Sequence, residues 1–212
     1  MHSRADIERI LKLSPVMPVV VIDQADNAPG LARAFIRGGI HVLEVTLRTT
    51  AALRAIELIA REVPEISVGA GTVLSAQDLR AAANAGATFA ISPGATSALL
   101  EAGLNAPIPY LPAVATASEL MAGLTHGYHC FKFFPAAPAG GTGMLKSFAG
   151  PFPQARFCPT GGITQETVGS YLALPNVLCA GGSWLSPADA LAARDWKRIE
   201  ALAAEAAASR RP

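Results

Sequence analysis

The sequence has few charged residues and no block of like charge, which argues against several classes of partner. Charged residues make up 16% of its 212 residues, and the formal net charge is +1. Proteins that bind nucleic acid or anionic membranes electrostatically usually carry clustered Lys and Arg. The composition therefore predicts neither a nucleic acid nor a membrane surface as a partner.

Long apolar runs are also absent. Pro, Gly or a charged residue interrupts each hydrophobic stretch well before the ~20 residues that a membrane-spanning helix needs. Arg4 and Asp6 stand where a signal peptide would have its apolar core. The sequence therefore predicts no transmembrane helix and no secretory signal, and it favours a cytoplasmic location.

Cysteine is scarce, and its pattern does not suggest a disulfide framework. The three cysteines are an odd number, and each lies in an apolar run, which is typical of reduced, buried thiols in cytoplasmic proteins. The four histidines have no metal-ligand spacing. We expect neither a metal site nor a cofactor. The cysteines are Cys130, Cys158 and Cys179.

Hydrophobic residues, in contrast, are abundant, at 51% of the chain. No linker or low-complexity segment divides the sequence, and its length suits one sizeable core. We therefore expect residues 1–212 to form a single domain. The surplus of apolar residues further predicts surface that is buried between subunits.

Short β-branched runs alternate with alanine-rich helical patterns along the chain. The strand starts recur about every 20 to 26 residues, a spacing typical of strand-plus-helix units in a parallel sheet. Eight units without a dinucleotide-binding glycine fingerprint favour a (β/α)8 TIM barrel over an open doubly wound sheet. An extra N-terminal helix is predicted at 4–13. The predicted strands are 16–22, 41–46, 67–70, 88–92, 109–114, 130–134, 156–160 and 177–181, and the other predicted helices are 27–37, 50–63, 75–85, 116–124, 164–174 and 195–207.

One lysine lies inside an aromatic strand, between Phe131 and Phe133. Because side chains alternate along a strand, the two phenylalanines should face the helices and Lys132 the barrel interior. Removal from water disfavours the charged form of an amine, and a neutral lysine can attack a carbonyl to form a Schiff base. A lysine that only pairs with a carboxylate is the alternative.

A glutamate has the same setting in the second predicted strand. Glu44 lies between Leu43 and Val45, which should face outward. A carboxylate beside a Schiff-base lysine would move protons on and off the substrate, although a simple ion pair with Lys132 or Arg48 is also possible. Arg48 follows at the carboxyl end of the strand, where its planar guanidinium could hold a substrate carboxylate.

Two glycine pairs follow the last two predicted strands, Gly161-Gly162 and Gly181-Gly182. Glycines let backbone N–H groups approach an anion, and helix N-termini favour negative charge. The loops after strands 7 and 8 are where β/α barrels commonly bind phosphate. The pattern therefore predicts a phosphate site, with tight strand-to-helix turns as the alternative.

Seven motifs, spread over nearly the whole chain, carry a resemblance to a known family. They are PVMPV at 15–19, VLEVTLRT at 42–49, VGAGTVL at 68–74, FAISPG at 89–94, FKFFPA at 131–136, RFCPTGGI at 156–163 and GGSWL at 181–185. With these motifs the chain resembles the bacterial 2-keto-3-deoxy-6-phosphogluconate (KDPG) aldolases, also called 2-keto-4-hydroxyglutarate (KHG) aldolases.

The resemblance implies a class I aldolase that cleaves KDPG, a 2-keto acid phosphate of the Entner–Doudoroff pathway, to pyruvate and glyceraldehyde 3-phosphate. It implies a homotrimer that needs no metal. Lys132 would form the Schiff base and Glu44 would shuttle protons. The implied substrate-binding residues are Arg48 and Thr72 at the pyruvate carboxylate, Pro93 and Phe134 in the pocket wall, Thr160 beside the substrate chain, and Gly161, Gly162, Gly182 and Ser183 at the phosphate.

Other functions stay open on the sequence alone. The same lysine chemistry could act on KHG or 2-keto-3-deoxy-6-phosphogalactonate, or decarboxylate oxaloacetate. A phosphate-binding barrel isomerase or epimerase would use Glu44 as its base and Lys132 as an ion-pair partner. A non-catalytic sugar-phosphate sensor would bind ligand without turnover.

Overall fold

The computed structural model describes residues 4–209, so the first three and last three residues of the predicted domain lie outside it. Part of the N-terminal segment on which the signal-peptide prediction depends falls there too. Within the described residues, parallel strands alternate with helices. The strands are β1 (Val16–Val20), β2 (Val42–Thr46), β3 (Ser67–Gly71), β4 (Phe89–Ile91), β5 (Tyr110–Leu111), β6 (Ala113–Val114), β7 (Cys130–Phe133), β8 (Arg156–Pro159) and β9 (Ala180–Gly182).

The strands form a parallel sheet that curls. Six of them follow the order β5-β4-β3-β2-β1-β9, and three follow the order β6-β7-β8. Parallel bridges join Phe157 to Val177 and Thr160 to Gly181, and so link β8 to the chain at β9. The single strand predicted at 109–114 is instead two short strands, β5 and β6, because Pro112 between them has no N–H to donate to the ladder.

Helices follow the strands and cover the outside of the sheet. A short 3-10 turn, Ala25–Asn27, precedes the second helix. The helix predicted at 164–174 forms only over five residues, since the Thr167 hydroxyl accepts the backbone N–H of Thr164 and holds the preceding residues in a turn. The helices are α1 (Arg4–Leu11), α2 (Ala28–Arg37), α3 (Ala52–Glu62), α4 (Ala76–Asn84), α5 (Ser97–Leu104), α6 (Ala117–Thr125), α7 (Gly141–Ala149), α8 (Val168–Leu172), α9 (Ala188–Ala192) and α10 (Trp196–Ala207).

Two helices begin at residues whose side-chain hydroxyls cap them. Ser75 Oγ accepts the N–H of Asp78 at 3.1 Å and caps α4. Thr116 and Glu119 form a full capping box at α6. Partial burial acts to raise the pKa of Glu119, but hydrogen bonds from the N–H groups of Ala115 and Thr116 outweigh it and lower that pKa below its ordinary value.

Alternation along the strands sorts the core into two layers. Leu43, Val45, Phe131 and Phe133 are fully buried in the layer between sheet and helices, as predicted. A second cluster lies inside the curl and joins strand residues to three residues of α1, and α1 also lines a cavity with Ser67, Thr88 and Pro109, at or just before strand starts. Helix α1 therefore covers the amino-terminal end of the sheet, and the opposite end is left to the loops. The inner cluster consists of Ile7, Ile10, Leu11, Met17, Val42, Phe89, Ile91, Leu111, Cys130, Cys158, Leu178 and Cys179.

The three cysteines are buried and none forms a disulfide, as the sequence predicts. Over residues 4–209, no group of three His, Cys, Asp or Glu side chains is arranged to hold a metal ion. None of the helices in that range has the length and apolarity that crossing a membrane requires.

Candidate active site

The centre of the site is a buried ion pair between two strands that are not neighbours in the sheet. Lys132 on β7 places its Nζ 3.1 Å from Oε1 and 3.3 Å from Oε2 of Glu44 on β2. The two residues are only 5% and 1% exposed. Burying two charges costs several kcal/mol per ion, which a single contact does not reliably offset. A lone buried pair of this kind is therefore better evidence for function than for stability.

The neighbouring strand gives Glu44 its space. A Cβ atom on Gly71 of β3 would lie 2.0 Å from Glu44 Oε1 and 2.5 Å from its Cγ. Those distances are far inside van der Waals contact, so the carboxylate occupies the volume that a side chain would take. Thr72 follows in the left-handed region, at φ +59°, where β-branched residues are uncommon. The backbone at Gly71 thus leaves the space that the Glu44 carboxylate occupies.

An open cavity of about 290 Å³ lies above the pair, at the carboxyl end of the strands. It brings together every predicted site residue except Gly182. The sequence predicted no role for two further wall residues, Val19 and Ile163, and it predicted Gly181 only as a member of a glycine pair. The full lining is Val19, Glu44, Arg48, Thr72, Pro93, Lys132, Phe134, Thr160, Gly161, Gly162, Ile163, Gly181 and Ser183.

Exposure divides the cavity into a floor and a rim. Lys132, Glu44 and Thr160 are buried at the floor, whereas Arg48 and Ser183 are exposed. Arg48 forms no ion pair with any residue in the described part of the chain. Since Lys132 and Glu44 offset each other, the lining carries one net positive charge, which suits an anionic substrate.

Aromatic and proline side chains form the walls beside the lysine. The ring of Phe134 has its centroid 5.3 Å from Lys132 Nζ, within the range of a cation–π contact. Pro93 follows Ser92, whose hydroxyl lies 2.6 Å from that of Tyr110 in a buried contact. Burial raises the pKa of Tyr110 well above its ordinary value, and the hydrogen bond to Ser92 lowers it only in part. Tyr110 therefore stays a neutral hydroxyl in contact with Ser92, the residue before Pro93.

The glycine pair at the cavity rim has the conformation that glycine alone adopts easily. Gly161 and Gly162 have φ of +101° and +73°. A Cβ on Gly162 would lie 2.7 Å from that of Ala137, and one on Gly161 would lie 3.3 Å from the Phe134 ring. A side chain at either position would be strained, while the glycine backbone leaves room for a ligand's anionic group.

Gly182 is the predicted site residue that lies off the cavity wall. It is buried on β9, and a Cβ there would come within 2.4 Å of the Trp184 ring. Its observed contact is therefore packing against Trp184. Gly181, the preceding residue, does line the cavity, and a Cβ on it would lie 2.2 Å from Thr160 Oγ1. The glycine pair in the sequence predicted a site at this loop, but it did not predict which of the two glycines faces the cavity.

These groups suit carbonyl chemistry. An amine that can act as a nucleophile lies in contact with a carboxylate that can move protons. A cation at the rim and a glycine-rich turn lie on the same cavity. Together they offer places for a 2-keto acid carboxylate and for a second anionic group.

Comparison with known proteins identifies the same chemistry. Residues 7–202 match the family model described as KDPG and KHG aldolase. The KHG/KDPG aldolase of Escherichia coli K12 is 54% identical over 203 residues, which cover 96% of this chain and 95% of that protein.

Solved structures agree in fold and extent. A Legionella pneumophila KDPG aldolase, with pyruvate captured at low pH as a covalent carbinolamine, aligns with a TM-score of 0.92 and 50% identity, covering 94% of this chain and 97% of that one. The Zymomonas mobilis ZM4 enzyme with 3-phosphoglycerate aligns with a TM-score of 0.94 and 48% identity, and the alignment covers 99% of this chain and 98% of that one. On this evidence, the chain belongs to the family of KDPG and KHG aldolases.

Proposed function

We propose that Lys132 and Glu44 perform the reaction of this enzyme, the aldol cleavage of KDPG to pyruvate and glyceraldehyde 3-phosphate. The observation that carries the proposal is the buried contact between Lys132 Nζ and the Glu44 carboxylate, at the floor of an open cavity with a cation at its rim. Pyruvate trapped as a carbinolamine in the Legionella relative supports a covalent mechanism of this kind.

In the proposed mechanism, Lys132 Nζ attacks the C2 carbonyl of the substrate, and loss of water gives an iminium ion. Glu44 removes the proton from the C4 hydroxyl, the C3–C4 bond breaks, and its electron pair moves into the iminium to form an enamine. Glyceraldehyde 3-phosphate leaves. Glu44 then returns the proton to C3, and water hydrolyses the pyruvate imine. The acid–base role requires a carboxylate within hydrogen-bond reach of the reacting groups, and Glu44 meets that requirement at Lys132.

The remaining cavity residues would fix the two ends of the substrate. Arg48 and Thr72 would hold the carboxylate that becomes that of pyruvate. Gly161, Gly162 and Ser183, which lie on the cavity wall, would hold the phosphate, and the Zymomonas relative was solved with a phosphate ester, 3-phosphoglycerate. Pro93 and Phe134 would form the wall and Thr160 would lie along the chain. Gly182 would act indirectly, by letting the loop pack against Trp184.

Borohydride trapping tests the proposal. The protein is incubated with pyruvate, reduced with sodium borohydride, and digested for mass spectrometry. We expect one reduced pyruvate on Lys132 and loss of cleavage activity in step with labelling. Cleavage rates on KDPG, KHG and the phosphogalactonate analogue then establish the substrate order. A folded protein that binds pyruvate without an adduct would overturn the Schiff-base role of Lys132.

The proposal extends to architecture and assembly. The bridges from β8 to β9 and the continuity of β5 and β6 through Pro112 support a closed (β/α)8 barrel, with α1 as its extra helix, and a single domain over 1–212. Family likeness and exposed apolar side chains such as Leu74 (65% exposed) and Met121 (58%) support a homotrimer. The net charge of +1 supports a function without nucleic acid, and reduced buried cysteines support a cytoplasmic location.

Substitution of Gly71 tests whether the position of Glu44 matters. In Gly71→Ala the new methyl group would overlap the carboxylate, so Glu44 must leave its observed position beside Lys132. We expect kcat for KDPG cleavage to fall about 100-fold, the order of loss that a misplacement of ~1 Å produces. Gly143→Ala is the matched control, because nothing lies within 4 Å of a Cβ there. Equal activity in the two folded variants would contradict the positioning role of Gly71.

A further inference from the structure

A phenylalanine lies two strands away from Glu44, at the same level of the sheet. Glu44 on β2 is the register partner of Gly69 on β3, and Gly69 is in turn the partner of Phe89 on β4. Side chains at one level of a parallel sheet point to the same face. Phe89 is fully buried and belongs to the cluster inside the curl, so its ring lies on the face that carries Glu44.

The ring of Phe89 covers Gly69. A Cβ atom on that glycine would lie 2.2 Å from Cε2 and 2.3 Å from Cζ of the ring, which is far inside van der Waals contact. The edge of the ring therefore fills the volume that a side chain at position 69 would take. The mechanism above makes no use of Phe89, although this residue opens the FAISPG motif at 89–94.

A second glycine of β3 holds the carboxylate. Gly71 follows Gly69 by two residues, so it lies on the same face and about 6–7 Å nearer the carboxyl ends of the strands. A Cβ on Gly71 would overlap the Glu44 carboxylate. Strand β3 thus leaves two spaces beside Glu44 that no side chain of its own occupies. The ring closes the space over Gly69, and the carboxylate occupies the space over Gly71, where it contacts Lys132 at the cavity floor.

We propose that Phe89 is a positioning residue for the reaction: its ring fills the space over Gly69 and so keeps the Glu44 carboxylate over Gly71, beside Lys132 and the open cavity. The proposal rests on the proposed aldolase function. The ring acts through Glu44 and takes no part in bond making. Without its edge, the carboxylate gains room toward Gly69 and leaves the reacting groups, and proton transfer slows because it depends on placement. Lys132 keeps its own place on β7, so imine formation continues.

Phe89→Leu tests this role, because leucine has no atoms equivalent to Cε2 and Cζ. We expect pyruvate and borohydride to label Lys132 at the wild-type level. Exchange of the pyruvate methyl protons with D₂O should fall about tenfold, a part of the ~100-fold loss that a misplacement of ~1 Å causes. The kcat for KDPG cleavage should fall by a similar factor, with KM little changed. Phe35→Leu is the matched control, since Phe35 on α2 is equally buried but lies in the outer layer between sheet and helices.

A compensating variant separates positioning from stability. In Gly69→Ala/Phe89→Leu the new methyl group lies where the edge of the ring lay. Substitutions of two residues in contact are coupled, so we expect the second change to bring exchange back to within about threefold of the wild-type rate. A residue that only stabilises the core would change adduct formation and exchange in parallel. The double variant restores part of the lost volume, so it tests the proposal even if Phe89→Leu folds poorly.

The outcomes separate the positioning role from the aldolase function. If Phe89→Leu exchanges protons as fast as Phe35→Leu, if its adduct and exchange fall in parallel, or if the folded double variant stays slow, Phe89 is a core residue only and the aldolase assignment stands. If the folded wild type gives no borohydride adduct with pyruvate and cleaves no KDPG, the proposed function fails and the positioning role fails with it.

Discussion

Replacing Lys132 by arginine should lower kcat for KDPG cleavage by at least about 10⁴-fold, the scale of loss seen when a nucleophile is removed, while the protein stays folded. The guanidinium of arginine remains charged and is not a nucleophile toward a carbonyl. It can still pair with the buried Glu44 carboxylate, which in the native protein lies 3.1 Å from Lys132 Nζ. The substitution therefore removes the covalent step and keeps the compensating charge.

A comparison with Lys132→Met separates catalysis from stability. Methionine is close in size but leaves the Glu44 carboxylate buried at 1% exposure with no cation beside it. Breaking a buried pair in this way typically costs 3–5 kcal/mol, so we expect this variant to have a lower Tm than Lys132→Arg. Both variants should fail to form the pyruvate adduct. The measurements are kcat, mass spectrometry after borohydride reduction, and thermal unfolding.

Lys146→Arg supplies the control, since Lys146 lies exposed on helix α7 away from the cavity. It should keep both activity and the adduct. An isomerase or epimerase with a glutamate base would instead retain turnover in Lys132→Arg, because the ion pair alone would suffice. Substantial activity in that variant would therefore contradict the Schiff-base mechanism.

Strand alternation made the centre of this site predictable. A lysine and a glutamate, each flanked by apolar residues in a strand pattern, had to face the interior if Phe131, Phe133, Leu43 and Val45 faced the helices. The structure places those four residues in the outer layer. The two-residue period of the strands was therefore enough to predict that two charged residues, 88 positions apart in the sequence, face the same interior.

Features that depend on packing or on a single residue's hydrogen bonds escaped prediction. The break in the predicted strand 109–114 comes from Pro112, and the shortened helix at 164–174 comes from a threonine that forms a turn. Which glycine faces the cavity is decided by the contact of Gly182 with Trp184.

Glu44→Gln should separate imine formation from proton transfer. Glutamine has the same size and keeps a carbonyl oxygen near Lys132, but it cannot take a proton from C4–OH or return one to C3. We expect pyruvate and borohydride still to label Lys132. Exchange of the pyruvate methyl protons with D₂O should slow by about 10²–10⁴-fold, because that is the usual contribution of a positioned acid–base group. Cleavage of KDPG should slow by a similar factor.

The two measurements together exclude a merely structural role for Glu44. A carboxylate needed only to hold Lys132 in place would reduce adduct formation and proton exchange in parallel when substituted. Substitution of a carboxylate that carries protons would reduce exchange alone. The pyruvate imine would still form, but its methyl protons would not exchange with solvent. Glu57→Gln controls for the substitution itself, since Glu57 lies exposed on α3 and pairs with the surface residue Arg54. Exchange at the wild-type rate in Glu44→Gln, with the adduct intact, would assign the proton to water held in the cavity and leave Glu44 as the counterion of Lys132.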